Sequence, residues 1–506
     1  MVSTEDITGR RQLGRNVLSS WLSYLAFVVF GFIMPRAIDG AVGQAALGVW
    51  DLSWTFVSYL SLAMIGIGSS VNRYVARYRA SGDVLALCRV TSSVIAIQIL
   101  IAGCVLLLTV AIAIVVPRLF GEQLGDEAVT ARWVVLLLGS ALSVQMAFDT
   151  YRGILTGCHR WGIYNALNAG SYSIAASGML IVLASSGGLK EIAAVHLAIT
   201  VITELVRVRL AKHVCPEINF KLRYINRADI KKVVNFGVHS ILLGLSRIIT
   251  IQTVNIIVVA QLGPGALAVL ARPLALVAHI STLVSKFSGV LTPTVSSLQG
   301  GGQKDELKTF AITAMRVGWI ITVLPLTFLM VLGDRVIDLW MGPGYVNWKV
   351  MVILAAGSLL PVSQSALIRI LVGLNEHGRV AKIGVGLAAV TLVIGLALAT
   401  ISGWDLVVAA FVVVIPLNVG TGLVALVLGC RQFDISFSSY WSTVLKDPFV
   451  LLVLSLGVLL AIRVLGPENL VFSLCAGLLA QMLIAGLLLR RDVIQVAGSL
   501  VRSQNA

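Results

Sequence analysis

The sequence predicts an all-α polytopic membrane protein, and three observations carry that prediction. Hydrophobic residues make up 58% of the 506 positions and charged residues only 12%, less charge than a soluble chain of this size displays. Mean hydropathy is +0.95, and apolar runs recur at about 20 residues or more, the length that crosses the hydrocarbon core. Within those runs the apolar residues are continuous instead of alternating with polar ones, which selects helices over the strands of an outer-membrane barrel.

Taken in order, about fourteen transmembrane helices begin near Asn16, Leu47, Leu85, Trp133, Ile163, Glu191, Asn235, Gly265, Leu307, Val350, Val380, Leu406, Asp447 and Asn469. The polar start MVSTEDITGRRQLGR has no short apolar core with a cleavage site, so the first span is expected to be a retained helix and not a signal peptide. Gly263-Pro264-Gly265 punctuates the seventh and eighth spans. With the N-terminus cytoplasmic, about 26 Lys and Arg fall inside and about 7 outside, while the acids divide nearly evenly. The loop at 121–130, with Glu122, Asp126 and Glu127, is acidic and external. This count places both termini in the cytoplasm.

The densest basic stretch, 207–232, is the natural internal boundary. It separates an N-lobe of six spans (1–214), through a basic cytoplasmic linker (215–232), from a C-lobe of six (233–431). An extra C-terminal helix pair with a cytoplasmic tail (432–506) follows. Six crossings bring each lobe back to its starting side, so the two pseudo-symmetric lobes are expected to be parallel repeats. The segment LGVWDLSWTFVSYLSLAMIGIGSSVNRYVARYRASGD matches LAVLARPLALVAHISTLVSKFSGVLTPTVSSLQGGGQKD in length and in Gly and Ser content. It sets Asp51 opposite Arg272 and Ser58 opposite His279.

Several function classes are disfavoured. The net charge of +15 lies in short segments between spans, the pattern of loops on anionic lipid, and not of a nucleic-acid surface. Cys88, Cys104, Cys158, Cys215, Cys430 and Cys475 show no metal or disulfide spacing. Gly300-Gly301-Gly302 precedes Lys304 but lacks the Gly-Lys-Ser/Thr ending of a phosphate loop. No soluble domain is inserted between the spans. The expectation is therefore no cofactor, no metal and no enzymatic activity.

The costly residues are the informative ones. Arg272, His279 and Lys286 stand seven apart in a predicted helix and share one face as a ladder roughly 20 Å tall. A cation at bilayer depth costs roughly 2.5–3.5 kcal/mol by insertion scales and marks a functional site by default. In the seventh span His239, Ser240, Gly244, Arg247, Thr250 and Asn255 form one polar arc. Arg247 lies about 16 Å from the inner end of its span and Arg272 about 12 Å from the outer end of the next, so both are expected near one cavity depth. The alternatives are structural: carbonyl or carboxylate partners for the arginines, a core hydrogen bond for His279, and snorkelling for Lys286. Pro273 is expected to bend its helix and act as a hinge. Asp51 is a candidate for ion coupling, for an ion pair with a basic group, or for capping the second helix. Asp149 with Arg152, and Glu204 with Arg207, are spaced for local ion pairs at the inner interface.

Some of these residues carry a resemblance. Asn16 opens the first span, Pro35-Arg36 stands at its outer end and Gly48-Val49-Trp50 starts the second. Gly66-Ile67-Gly68, Arg73-Tyr74 and Gly82-Asp83 follow, with Thr292-Pro293 and a Gly-rich turn in the second half. From residue 10 to about 431 the chain resembles the polysaccharide-exporting branch of the multidrug/oligosaccharidyl-lipid/polysaccharide flippase superfamily, which includes O-antigen and teichuronic-acid flippases. The resemblance implies two six-helix lobes around a cavity, working by alternating access on a lipid-linked sugar. An extra helix pair is similar to that of the lipid II flippases, where it forms a groove.

The implied cargo is an undecaprenyl-diphosphate-linked oligosaccharide, moved across a bacterial-type plasma membrane. Arg272, Arg247, His279, Lys286 and Asn255 would contact it, with Arg offering bidentate contacts to the diphosphate. Implied partners are membrane lipids and a glycan polymerase or glycosyltransferase, with the flippase itself a monomer. A drug/cation antiporter of the same superfamily is the alternative, although it should favour buried acids over buried bases. A membrane glycosyltransferase or polymerase should show acidic catalytic residues or a substantial external loop.

Overall fold

The computed structural model describes residues 10–64, 67–289, 291–374, 376–465, 469–484 and 486. Gly66 of the second-span motif, and the tail with Arg490 and Arg491, lie outside the described residues. So do the side chains of His239, Ser240, Thr292 and Pro293. Among the described residues there is helix and no strand. Helices of nine residues or more are numbered here in chain order. In the first half they are α1 Arg10–Leu60, α2 Ile67–Ala80, α3 Val84–Leu119, α4 Ala128–Gly157, α5 Trp161–Ala184, α6 Leu189–Val214 and α7 Arg227–Leu262. In the second half they are α8 Pro264–Gly289, α9 Leu291–Gly300, α10 Lys304–Met341, α11 Trp348–Ser363, α12 Ser365–Gly373, α13 His377–Ser402, α14 Leu406–Leu417, α15 Val424–Gln432 and α16 Lys446–Leu465.

Among the described residues, 11 helical stretches are long and apolar enough to cross a membrane. The difference from the expected fourteen arises at three places. Ser19–Met64 is one continuous helical stretch, yet its backbone breaks at Gly43, with φ 87° and ψ 171°. L side chains rarely adopt that region, so glycine is what lets the helix kink there. The charged α6 is not among the 11, and Leu470–Ile484 is a shorter apolar helix. The chain is a multi-pass membrane protein.

Two compact units emerge. The first is Met1–Ile241 with Leu262–Leu267, and the second is Leu242–Gln261 with Ala268–Ala506. The division thus falls inside α7, not in the basic stretch 215–232. That stretch instead packs with the first unit: Arg89 pairs with Asp229 at 3.2 Å, and the Asn226 N–H donates to Ser93 Oγ at 2.9 Å. Cys88 Sγ donates to the Glu217 carbonyl at 3.2 Å and Cys215 Sγ to Glu217 Oε2 at 3.1 Å. Pairing with the Cys215 thiol, with the Arg79 guanidinium close by, draws the Cys158 thiol below its ordinary value.

In the first unit α4 is the central helix, packed against α1, α2, α3 and α6. Small residues allow the close approach. The turn after α7 also folds back onto this unit: Gln44 Nε2 donates to the Gly265 carbonyl at 3.1 Å, and a Cβ on Gly48 would lie 1.8 Å from the Pro264 carbonyl oxygen.

In the second unit α10 packs against α11, α12 and α16. A polar seam fastens the C-terminal pair to α10. Arg463 grips Asp334 bidentately, with Nη1 to Oδ1 at 3.0 Å and Nη2 to Oδ2 at 2.6 Å. Thr327 Oγ1 meets Ser455 Oγ at 2.7 Å, Gln481 donates to Ser455 and Arg335 donates to Ser473. Inside a bilayer such bonds have no competing water, which is why polar side chains join helices there. Asp334→Ala is expected to lower stability by about 1–2 kcal/mol, because it removes both carboxylate bonds to Arg463 and leaves its Nη1 on the Val331 carbonyl. Thermal unfolding of purified protein in detergent checks this.

Candidate functional site

The second unit contains a cavity of about 260 Å³. Its polar anchor is Arg247, which faces it from α7 between Gly244 and Ile251. These three residues recur at intervals of three and four, one helix face. From α8 come Leu274, Val277, Ala278, Ser281 and Ser285, again one face, and α11 closes the cavity with Gly357, Ser358 and Pro361. No carboxylate lines it among the described residues. The cavity therefore offers one guanidinium amid apolar and hydroxyl groups, a setting that attracts an anion.

The structure does not bring all the expected residues to this cavity. Arg272, His279 and Lys286 sit roughly 140° around α8 from the lining face, at 100° per residue. Arg272 is buried, 3% exposed, with its guanidinium 5.8 Å from the Trp340 ring centroid, a cation–π arrangement. His279 and Lys286 are half-buried on that same face. Asn255 is buried beyond the cavity and donates to Gln252 Oε1 at 3.3 Å. The helix continues through Pro273 without a break. The ladder and Arg247 thus occupy opposite faces of α8, although both lie on helices predicted to be polar.

Asp51 is half-buried, and its backbone carbonyl accepts from Thr55 Oγ1 at 3.0 Å. Capping is ruled out for it: the helix resumes directly after Gly43, so Asp51 stands two turns beyond the first free N–H groups.

The first unit holds a second, polar cavity of about 170 Å³ between α4, α5 and α6. Asp149 Oδ1 pairs with Arg152 Nε at 2.6 Å, and Glu204 Oε1 with Arg207 Nη1 at 2.5 Å. Gln98 Nε2 donates to Asp149 Oδ2 at 3.4 Å, while Gln98 Oε1 accepts from the Thr150 N–H at 2.9 Å. Arg207 Nη2 donates to Asn168 Oδ1 at 2.9 Å, and Thr203 Oγ1 donates to Ser171 Oγ at 2.8 Å. The sequence marks both ion pairs as local. Only the packing of α4 against α6 shows that they face one cavity. Buried charge tolerates this only when paired, and two carboxylates against two guanidiniums leave the cluster formally neutral.

The comparisons follow from this fold. Residues 163–352 match the polysaccharide biosynthesis protein family model. Among curated proteins no sequence matches. The chain is similar to the lipid II flippase MurJ in an inward closed conformation, with a TM-score of 0.69 at 12% identity over 94% of this chain and 100% of that one. It is similar to an inward-facing multidrug resistance MATE family transporter of the MOP superfamily, with a TM-score of 0.62 at 16% identity over 83% and 95%. It is also similar to a MOP superfamily transporter from Pyrococcus furiosus, whose binding pocket is described as reversed in polarity, with a TM-score of 0.57 at 17% identity over 83% and 95%. The chain shares its all-helical fold with these membrane transporters, and residues 163–352 are similar to the polysaccharide biosynthesis protein family.

Proposed function

We propose that this protein is a flippase that moves a polyprenyl-diphosphate-linked oligosaccharide from the cytoplasmic to the outer leaflet of a bacterial-type plasma membrane by alternating access. The observation that carries the reading is the sign of the second-unit cavity. Arg247 stands in it, and no carboxylate does among the described residues. A diphosphate offers several oxygens that a guanidinium contacts in bidentate fashion, while its lipid tail stays in the bilayer. A drug/cation antiporter would need the opposite sign at this place. In this reading Arg272, His279 and Lys286 form a second basic track on the other face of α8, Asn255 adds a polar contact, Pro273 acts as a hinge and Asp51 binds the coupling ion. A glycan polymerase or glycosyltransferase would be its partner in the membrane.

Reconstitution tests the assignment. Proteoliposomes holding the purified protein and a fluorescent polyprenyl-diphosphate oligosaccharide are treated with a membrane-impermeant quencher. Flipping is expected to bring the protected, inner-leaflet fraction within reach of the quencher at a rate that empty liposomes do not match. Equal quenching of both, or protein-dependent transport of a cationic dye instead, overturns the reading.

A further inference from the structure

We propose that the polar cavity of the first unit is a binding site for a neutral sugar residue. The proposal rests on the flippase reading for the origin of the sugar, and on the cavity itself for its chemistry.

The cavity is built, not incidental. Glu204 is 2% exposed and Arg207 7% exposed. After their mutual ion pair and the bond from Arg207 to Asn168, Glu204 Oε2 and Arg207 Nε have no hydrogen-bond partner among the described residues. Both side chains line the cavity. An unpartnered buried acceptor and an unpartnered buried donor are each destabilising. One ligand group that both donates and accepts would satisfy the two at once, and a hydroxyl is that group.

Charge decides between ligand classes. A cation placed beside Glu204 and Asp149 would also face Arg207 and Arg152, and an anion beside the arginines would face the two carboxylates. In a partly enclosed cavity these repulsions are screened less than in bulk water. A neutral polyhydroxy group meets no such penalty. The volume of about 170 Å³ is well above the roughly 15 Å³ that one water requires by the same measure, and leaves space for a ring carrying several hydroxyls. Two lining residues are partly exposed, Arg152 with 36% of its side chain and Tyr172 with 42%. The Tyr172 ring is an apolar platform with a polar edge, suited to the C–H face of a sugar. Asn168, Ser171 and Thr200 add amide and hydroxyl groups.

Two measurements on the full-length protein test the site. In the first, purified wild type, Tyr172→Ala and Glu204→Gln are titrated in detergent with methyl glycosides of neutral hexoses and N-acetylhexosamines, with glucuronate, and with sodium chloride against potassium chloride. The neutral glycosides are expected to raise the Tm of the wild type and of neither variant. In the second, proteoliposomes are offered polyprenyl diphosphate with and without one attached sugar. The ratio of sugar-bearing to bare-lipid flipping is expected to fall about tenfold in both variants, equivalent to about 1.4 kcal/mol. A Tm that responds to sodium or glucuronate but not to neutral glycosides overturns the proposal. So does a Tm that responds to no probe, and so does an unchanged flipping ratio. If wild type moves neither lipid, the flippase reading fails by itself, and the Tm titration still decides whether the cavity takes a sugar.

Discussion

Arg247→Ala is expected to lower surface glycan about 100-fold in a strain that depends on this protein, a loss that matches about 2.7 kcal/mol and lies in the range of a charged hydrogen bond. Among the described residues Arg247 is the cation of a cavity otherwise lined by apolar and hydroxyl-bearing residues, so no described neighbour there takes over the diphosphate. Arg247→Lys is expected to recover part of the activity. It keeps the charge at a similar depth but loses the planar fork that engages two oxygens together. Arg272→Ala is expected to abolish export as well. Its guanidinium is nearly buried against Trp340, so the substitution removes packing along with charge. Arg272→Lys separates the two contributions, since it retains most of the stem. Surface glycan is scored by staining, alongside the amount of protein in the membrane fraction. Wild-type glycan in either alanine strain removes that arginine from the transport pathway.

Gly48→Ala is expected to prevent the first unit from folding, a destabilisation of about 3 kcal/mol or more. The added Cβ would lie 1.8 Å from the carbonyl oxygen of Pro264 and 2.9 Å from its Cα. Those are backbone atoms, which cannot rotate aside as a side chain would. The same turn is also held by Gln44 at the Gly265 carbonyl, so relief requires moving the chain reversal between α7 and α8. Gly40→Ala is the matched control, because nothing stands within 4 Å of its added Cβ. Size-exclusion profiles of detergent extracts are expected to show a single folded peak for Gly40→Ala and aggregate for Gly48→Ala. A monodisperse Gly48→Ala peak with a Tm near wild type would show that the turn is free to shift.

Helix positions were the most legible part of this protein. Expected starts near Leu85, Ile163, Glu191, Gly265 and Leu406 lie within two residues of the observed starts at Val84, Trp161, Leu189, Pro264 and Leu406. The reason is that the bilayer imposes one length and one polarity on every span, so a local reading suffices. The break at Gly43 was less legible. Arg36, Asp39 and Gln44 interrupt the apolar run there, but only the backbone shows that Asp51 is not at a helix start. For the same reason its capping role was open from sequence alone.

The site was legible in kind and not in arrangement. Arg247 and Arg272 stand out in sequence because a cation within an apolar run is expensive. Their placement on opposite faces of α8 depends on which side of that helix the neighbours α7, α10 and α11 occupy. Asp149 and Glu204 show the converse. Each has its Arg three residues away and reads as locally satisfied, while the packing of α4, α5 and α6 decides that both pairs line one cavity with Asn168 between them. The sequence by itself determined the membrane class, the helical composition and the excess of basic over acidic residues, because hydropathy and charge act residue by residue. The tertiary structure alone decided which charges share a cavity. That depends on the rotation of each helix about its axis, and packing against several neighbours at once sets it.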